Sequence, residues 1–241
     1  EGWAAGLHSL AVSWRSGASR AGSAEERLAR DNRRLMGILA DEVFATQPAD
    51  VRDFLMRTSL LSQLTAPLCQ TLVTSDAGEA PALPEMEALL QRLERDSLFV
   101  EALDETHQWY RIHSLFRAFL AHKLEQTVSR AEIAALHRRA GLWYWAQGSA
   151  HEALRHAAAA QDVALAADII EGELQGLLVR EEWPTLERWL GMLPGEIIQR
   201  RPWLLVAQAW VFHFRHKLAG IPPLLEQAQA LLSRGSVSAA V

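Results

Sequence analysis

The chain has 241 residues, 49% of them hydrophobic and 22% charged, with a formal net charge of −5. That composition excludes wholesale disorder, and the mild acidity argues against a nucleic-acid binder, because phosphate contacts need clustered cations. A single cysteine, Cys69, excludes an internal disulfide framework and a multi-cysteine zinc site, and points to a reducing compartment.

Residues 1–15 read as the end of a helix with Leu7, Leu10, Ala11 and Trp14 on one face, followed by a small, polar linker over 16–23. The N-terminus begins Glu1-Gly2-Trp3, without an initiator methionine or a basic leader, so the chain is expected to be an internal piece of a longer protein. No apolar run is long enough for a membrane span. From Glu25 the helical period returns, with Leu35, Ile38, Leu39 and Val43 in one stripe that stops at Gln47-Pro48. Val51, Phe54 and Leu55 open the next helix, which is read as continuing into Leu60-Leu61. A short helix is expected over Ala66–Val73, carrying Cys69 as a buried small hydrophobe. A loop over Thr74–Pro84 and an amphipathic helix with Met86, Leu89, Leu90 and Leu93 follow.

The pattern then changes. Leu98–Leu103, Asp104–His107 and Gln108–Ile112 read as strand, turn and strand, ahead of a helix Ser114–Glu125 with Phe116, Phe119, Leu120 and Leu124. Helices followed by one hairpin are the winged-helix pattern, expected over roughly residues 30–126. Beyond Ser129 only helices are predicted. One carries Ile133, Leu136, Ala140, Trp143 and Tyr144 and ends at Gly148 as a C-cap glycine. The next carries Ala150, Ala153, Leu154 and Ala157, and a third is capped by Asp162. Further helices are expected over Trp183–Leu193, Trp203–Leu218 and Pro223–Leu232, broken at Pro194-Gly195, Pro202 and Gly220-Ile221-Pro222, with no capping helix over 234–241. Paired helices with an irregular period near the 34–40-residue range suggest a tetratricopeptide-like solenoid. Six of the nine tryptophans lie at or beyond Trp143, and the helix pairs are expected to bury them.

Catalytic chemistry is sparse. The only lysines, Lys123 and Lys217, follow no glycine loop, so this chain has no Walker A sequence. His213 and His216 are three apart and could share a helix face as metal ligands; partly exposed helix histidines are the plainer reading. His151 and His156 fall on different faces. No metal and no catalytic residue is assigned. His113 ends the second strand just before the helix Ser114–Glu125. A histidine there serves either as a structural cap of the turn or as a donor to a phosphate held beside the helix amides.

Trp109-Tyr110-Arg111-Ile112-His113-Ser114-Leu115-Phe116-Arg117-Ala118-Phe119-Leu120 resembles a signature of the MalT-like regulators, ATP-dependent LuxR-type transcriptional activators of the STAND class. Gln47–Leu61 resembles the opening helix of that family's winged helix, and Leu90–Phe99 the helix that leads to its hairpin. Leu136–Tyr144 and Glu152–Ala157 resemble its helical repeats, and Glu1–Leu7 the end of its nucleotide-binding module, although Ala4 stands where a proline is common. The resemblance implies a mainly α fold in three parts: 1–24, the end of a nucleotide-binding module and linker; 25–128, a winged helix; 129–241, a helical-repeat sensor. It also implies a nucleotide-sensing role for His113, with Gly2 and Trp3 at the edge of the nucleotide pocket. No cofactor is expected in this piece; ATP or ADP is expected in the parent.

The implied partners are the upstream nucleotide-binding domain, an inducer or protein on the repeats, and a second copy through self-association. DNA is expected only through a C-terminal domain, no membrane is expected, and the setting implied is cytoplasmic. The piece is then a non-enzymatic regulatory core of a nucleotide-gated activator. The competing reading is a helical-repeat interaction scaffold without nucleotide, favoured by the tryptophan-rich second half.

Overall fold

A computed structural model describes residues 40–74, 81–96 and 99–238. The expected helix and linker at 1–23, Gly2, Trp3, Leu35, Ile38, Leu39 and Leu98 lie outside those residues. The chain divides into two compact units, with the boundary between Ser129 and Arg130.

In the first unit a helix over 40–45 (α1) ends just before Gln47-Pro48. α2, Ala49–Thr58, buries Val51, Phe54 and Leu55. It ends sooner than its apolar stripe predicts, because two hydroxyls take up its last carbonyls: Thr58 Oγ1 donates to Phe54 O (2.8 Å) and Ser59 Oγ to Met56 O (2.6 Å). Leu60 and Leu61 therefore belong to the turn, and Leu64 becomes a piece of sheet, exchanging backbone bonds of 2.8 and 2.9 Å with Tyr110. α3, Ala66–Val73, has the predicted bounds, with Thr65 as N-cap and Cys69 fully buried. α4 runs Leu83–Arg95 and buries Met86, Leu90 and Leu93. Pro84, read as loop, sits in its first turn, where a missing N–H costs nothing.

The hairpin is shorter than expected: β1 is Val100–Ala102 and β2 is Tyr110–Ile112, antiparallel, with Val100 opposite Ile112 and Ala102 opposite Tyr110. With Leu64 on the far side of β2, the sheet has the three-part edge of a winged helix. α5, Ser114–Thr127, closes the unit by burying Phe116, Leu120 and Leu124. Phe119 is half-buried, edge-on to Phe44 at 5.8 Å.

The second unit is helical throughout its described residues. α6 (Arg130–Ala146) packs on α7 (Ala150–Ala159), and α7 on α8 (Val163–Val179); α8 packs on α9 (Trp183–Leu190) and on α11 (Pro202–Phe214). A one-and-a-half-turn helix α10, Gly195–Arg200, fills the place where a break was predicted, and Pro202 opens α11 rather than interrupting it. α11 ends at Phe214, short of Leu218. After a 3-10 turn, α12 runs Ile221–Ser238, so the stretch expected to lack a helix is helical to Ser238. Helix pairs starting at Arg130, Val163 and Pro202 give the repeat. The tryptophans depart from expectation. Of the six in this unit only Trp189 is buried; Trp203 and Trp210 are 54% and 42% exposed.

Candidate functional site

The start of α5 is assembled from three pieces of chain. Phe99, forced to φ +57 at the end of the α4–β1 connection, turns its carbonyl onto the His113 amide (2.7 Å). This bond fixes the backbone at the junction of β2 and α5. His113 then occupies the N-cap position, with φ −52 and ψ 133, and its carbonyl accepts the first helical bond from Arg117 N at 2.9 Å. Its side chain makes no capping hydrogen bond, so the structural-cap reading lacks the interaction it requires. The ring is exposed, 6.5 Å from the ring of Phe99, which in turn lies 4.9 Å from Phe116. Arg117 is anchored away from the helix start, donating from Nη1 to Leu61 O at 3.2 Å.

The first amides of α5 have no acceptor within the helix, and the helix dipole adds partial positive charge there. No acidic side chain lies in its first turn. An exposed imidazole beside uncompensated amides is a fitting place for a phosphate oxygen. Gly2 and Trp3 lie outside the described residues.

The wing next to this junction is held by Asp104. Its Oδ1 accepts from the amides of Gln108 and Trp109, both at 3.0 Å, and its Oδ2 accepts from Thr106 Oγ1 at 2.6 Å. The Thr106 hydroxyl, then the Trp109 amide, hold this carboxyl below its usual range. Glu101 and Arg111 form a cross-strand ion pair (2.6 Å), and Glu94 ties α4 to the wing through His107 (3.0 Å). α4 carries Glu85, Glu87 and Glu94 alongside Arg92 and Arg95, and the wing carries Glu101, Asp104 and Glu105. This mixed surface lacks the cation stripe of a DNA-reading winged helix. An open groove of about 560 Å³ lined by Asp50, Phe54, Met86, Leu89 and Arg92 lies between α2 and α4, and His113 does not line it.

The other candidates separate. Burial pushes the Cys69 thiol far above its usual range, away from nucleophilic use. His213 is in the last turn of α11, but His216 is beyond it in the left-handed region (φ +56), so the two do not share a helix face. Among the described residues no group of three or more His, Cys, Asp or Glu side chains is arranged to hold a metal ion. His151 is exposed and His156 fully buried. His156 meets His137 Nδ1 to Nδ1 at 2.9 Å, a pairing that sequence spacing did not bring out. Its one signal was His156 falling in phase with Ala153 and Ala157 on the buried face of α7.

Comparison with known proteins gives a consistent picture. The MalT winged helix domain family matches residues 40–132. The HTH-type transcriptional regulator MalT of Serratia proteamaculans is 34% identical over 230 residues, 95% of this chain and 24% of that protein. The proteins of the same name from Klebsiella pneumoniae and Yersinia enterocolitica are 31% and 32% identical over 96% and 98% of the chain. The chain spans about a quarter of the length of these curated relatives, 24–25%.

Proposed function

We propose, from the premise that this chain is a MalT-like segment with that family's winged helix, that it is the regulatory core of a transcription regulator. In this reading the segment couples nucleotide state in an upstream module to inducer binding on the helical repeats, and through both to self-association and DNA-dependent control. The observation that carries it is the start of α5. There His113 is held by its backbone to Phe99, its ring is exposed, and it stands beside helix amides with no acidic side chain in the first turn. His113 donates a ring N–H to the phosphate of ADP held by the upstream module, and the resting state persists while that bond is made. The nucleotide supplies only the negative charge on which the two modules meet. The winged helix acts as a lever, since its mixed surface charge does not suit DNA, and DNA binding belongs to a separate domain of the longer protein. The segment itself is not an enzyme. Among its described residues no helix is long and apolar enough to cross a membrane, and a regulator of this kind works in the cytoplasm.

The coupling is a two-state equilibrium, so removing a contact made only in the resting state shifts the population toward the active one. In the full-length regulator His113→Ala should weaken ADP binding about tenfold, the loss of roughly one charge-assisted hydrogen bond, and raise transcription without inducer. Isothermal calorimetry with ADP and a reporter assay read the two effects. Unchanged ADP affinity together with unchanged basal transcription would remove His113 from the sensor role.

A second reading, a scaffold that binds another protein without nucleotide, is favoured by the exposed Trp203 and Trp210 on α11. The full-length protein ignoring both ADP and ATP would favour it.

A further inference from the structure

The buried residues of the seam between α6 and α7 are apolar, with Leu136, Ala140 and Tyr144 on one side and Ala153, Leu154 and Ala157 on the other, except for one imidazole. His156 is 0% exposed. Its ring stacks on Tyr144 (centroids 5.5 Å, planes 17° apart), its Nδ1 is 2.9 Å from Nδ1 of His137 on α6, and its Nε2 is 3.2 Å from Arg155 Nη2. These contacts fix the protons. A guanidinium only donates, so His156 Nε2 accepts and carries no hydrogen. The neutral ring of His156 therefore has its hydrogen on Nδ1 and donates it to His137 Nδ1, which leaves the hydrogen of His137 on Nε2. The chain runs Arg155 to His156 to His137, and it closes only when both rings are neutral. A proton added to His156 Nε2 faces the guanidinium and buries a charge; one added to His137 Nδ1 sets two N–H groups head to head.

The charged groups acting on the pair are few. On α7, Arg155 is held by Glu152 through bonds of 2.8 and 2.6 Å. On α6 the titratable and charged side chains at the pair are His137 itself, Tyr144 stacked on the His156 ring, and Arg138 and Arg139 next to His137 in sequence. α8 approaches with Leu165, which lies with His156 Cβ around Gly141, while its cap Asp162 is paired with Arg138 at 3.3 Å.

We propose that Arg155, His156 and His137 form a proton-operated latch that closes α6 on α7 while both imidazoles are neutral and loosens the pair in acid. The direction follows from linkage. Burial first, then Arg155 and then His137, hold His156 down to about 3 from an ordinary 6.5, and burial and Arg155 lower His137 as well. An opened pair takes up protons near 6.5, whereas in the closed pair both rings resist protonation to lower pH. Closure is therefore at full strength above 6.5 and is lost progressively as pH falls below it. The opening equilibrium should rise about tenfold per pH unit for each proton taken up.

Amide hydrogen exchange on the chain, corrected for intrinsic rates and followed by mass spectrometry from pH 7.5 to 5, reads that equilibrium segment by segment. Peptides from 130–159 should gain opening as pH falls through 6.5, while those from 202–214 stay flat. In His156→Gln, which retains polar atoms but does not titrate, the pH slope over 130–159 should fall to less than half of the wild-type value. Nitrogen-15 spectra of the wild-type imidazoles at pH 7.5 supply a check that needs no variant: hydrogen on Nδ1 of His156 and on Nε2 of His137. Opening of 130–159 that is the same at pH 7.5 and 5, an undiminished slope in His156→Gln, or the reverse tautomers would each overturn the latch.

Discussion

Gly148 lies past the end of α6 at φ +74, with open space where a Cβ would stand. There it closes a left-handed helix end: Ser149 N donates to Tyr144 O (2.8 Å) and Gly148 N to Trp145 O (2.9 Å). The same bond pair recurs where α7, α8 and α11 end, but with Gln161, Glu181 and His216 in the left-handed position, at φ +55, +56 and +56. Only the first end was legible in the sequence, because glycine advertises that conformation and other residues do not. His216 shows the consequence, since a histidine that reads as one helical turn beyond His213 has in fact left the helix. Gly148→Ala should cost about 1 kcal/mol, the left-handed penalty of an L-residue. Gln161→Gly should gain only a few tenths, because glycine's extra freedom in the unfolded chain offsets the relief. Urea unfolding of the two variants measures both, and a Gly148→Ala variant as stable as the parent would contradict the assigned turn.

At the scale of elements, helix identity was readable from apolar spacing nearly everywhere, while helix ends were not. The prolines explain much of the difference. Pro84 reads as the end of a loop and Pro202 and Pro222 read as breaks, yet each sits at the start of α4, α11 or α12, where proline's fixed φ and missing N–H suit the helix. The end of α2 was misplaced for another reason: the Thr58 and Ser59 hydroxyls stop the helix inside a continuing apolar run, and Leu64 is then free to join the sheet. Packing of α6 on α7 depends on a residue that pattern reading passes over. A Cβ on Gly141 would meet Ala153 O at 3.2 Å and His156 Cβ at 3.5 Å. Gly141→Ala gains about 1 kcal/mol of helix propensity, but it presses a methyl on backbone that cannot swing aside, a strain of about 1–3 kcal/mol. The expected net result is a loss of stability together with a weaker His137–His156 bond. Thermal unfolding and the imidazole spectra report the two, and a stabilised variant with unaltered spectra would show that the helices have room to spare.

At the scale of the whole molecule, the two units differ in how their cores were encoded. In the first, the core residues Phe54, Leu90, Leu93, Phe116 and Leu120 stand in clean stripes within the family-like motif, and the start of α5 could be located with its histidine from that motif alone. What the motif could not supply was the ring's exposure and the backbone bond to Phe99, which depend on a left-handed residue on the far side of the hairpin. In the second unit, small residues carry the seams: Ala140, Ala153, Ala157, Ala166, Ala167 and Ala207 are all buried. The large aromatics were wrongly expected inside because hydrophobicity alone does not say which face of a solenoid helix meets its neighbour. Each unit thus holds a core of its own, and a cavity in one core should be felt there. Leu90→Ala in α4 and Ile170→Ala in α8, both at 0% exposure in the parent, should each cost about 2–5 kcal/mol. Segment-resolved hydrogen exchange should place the first loss within 40–129 and the second within 130–238. Protection lost equally across the boundary by either substitution would mean that the two units open as one cooperative body.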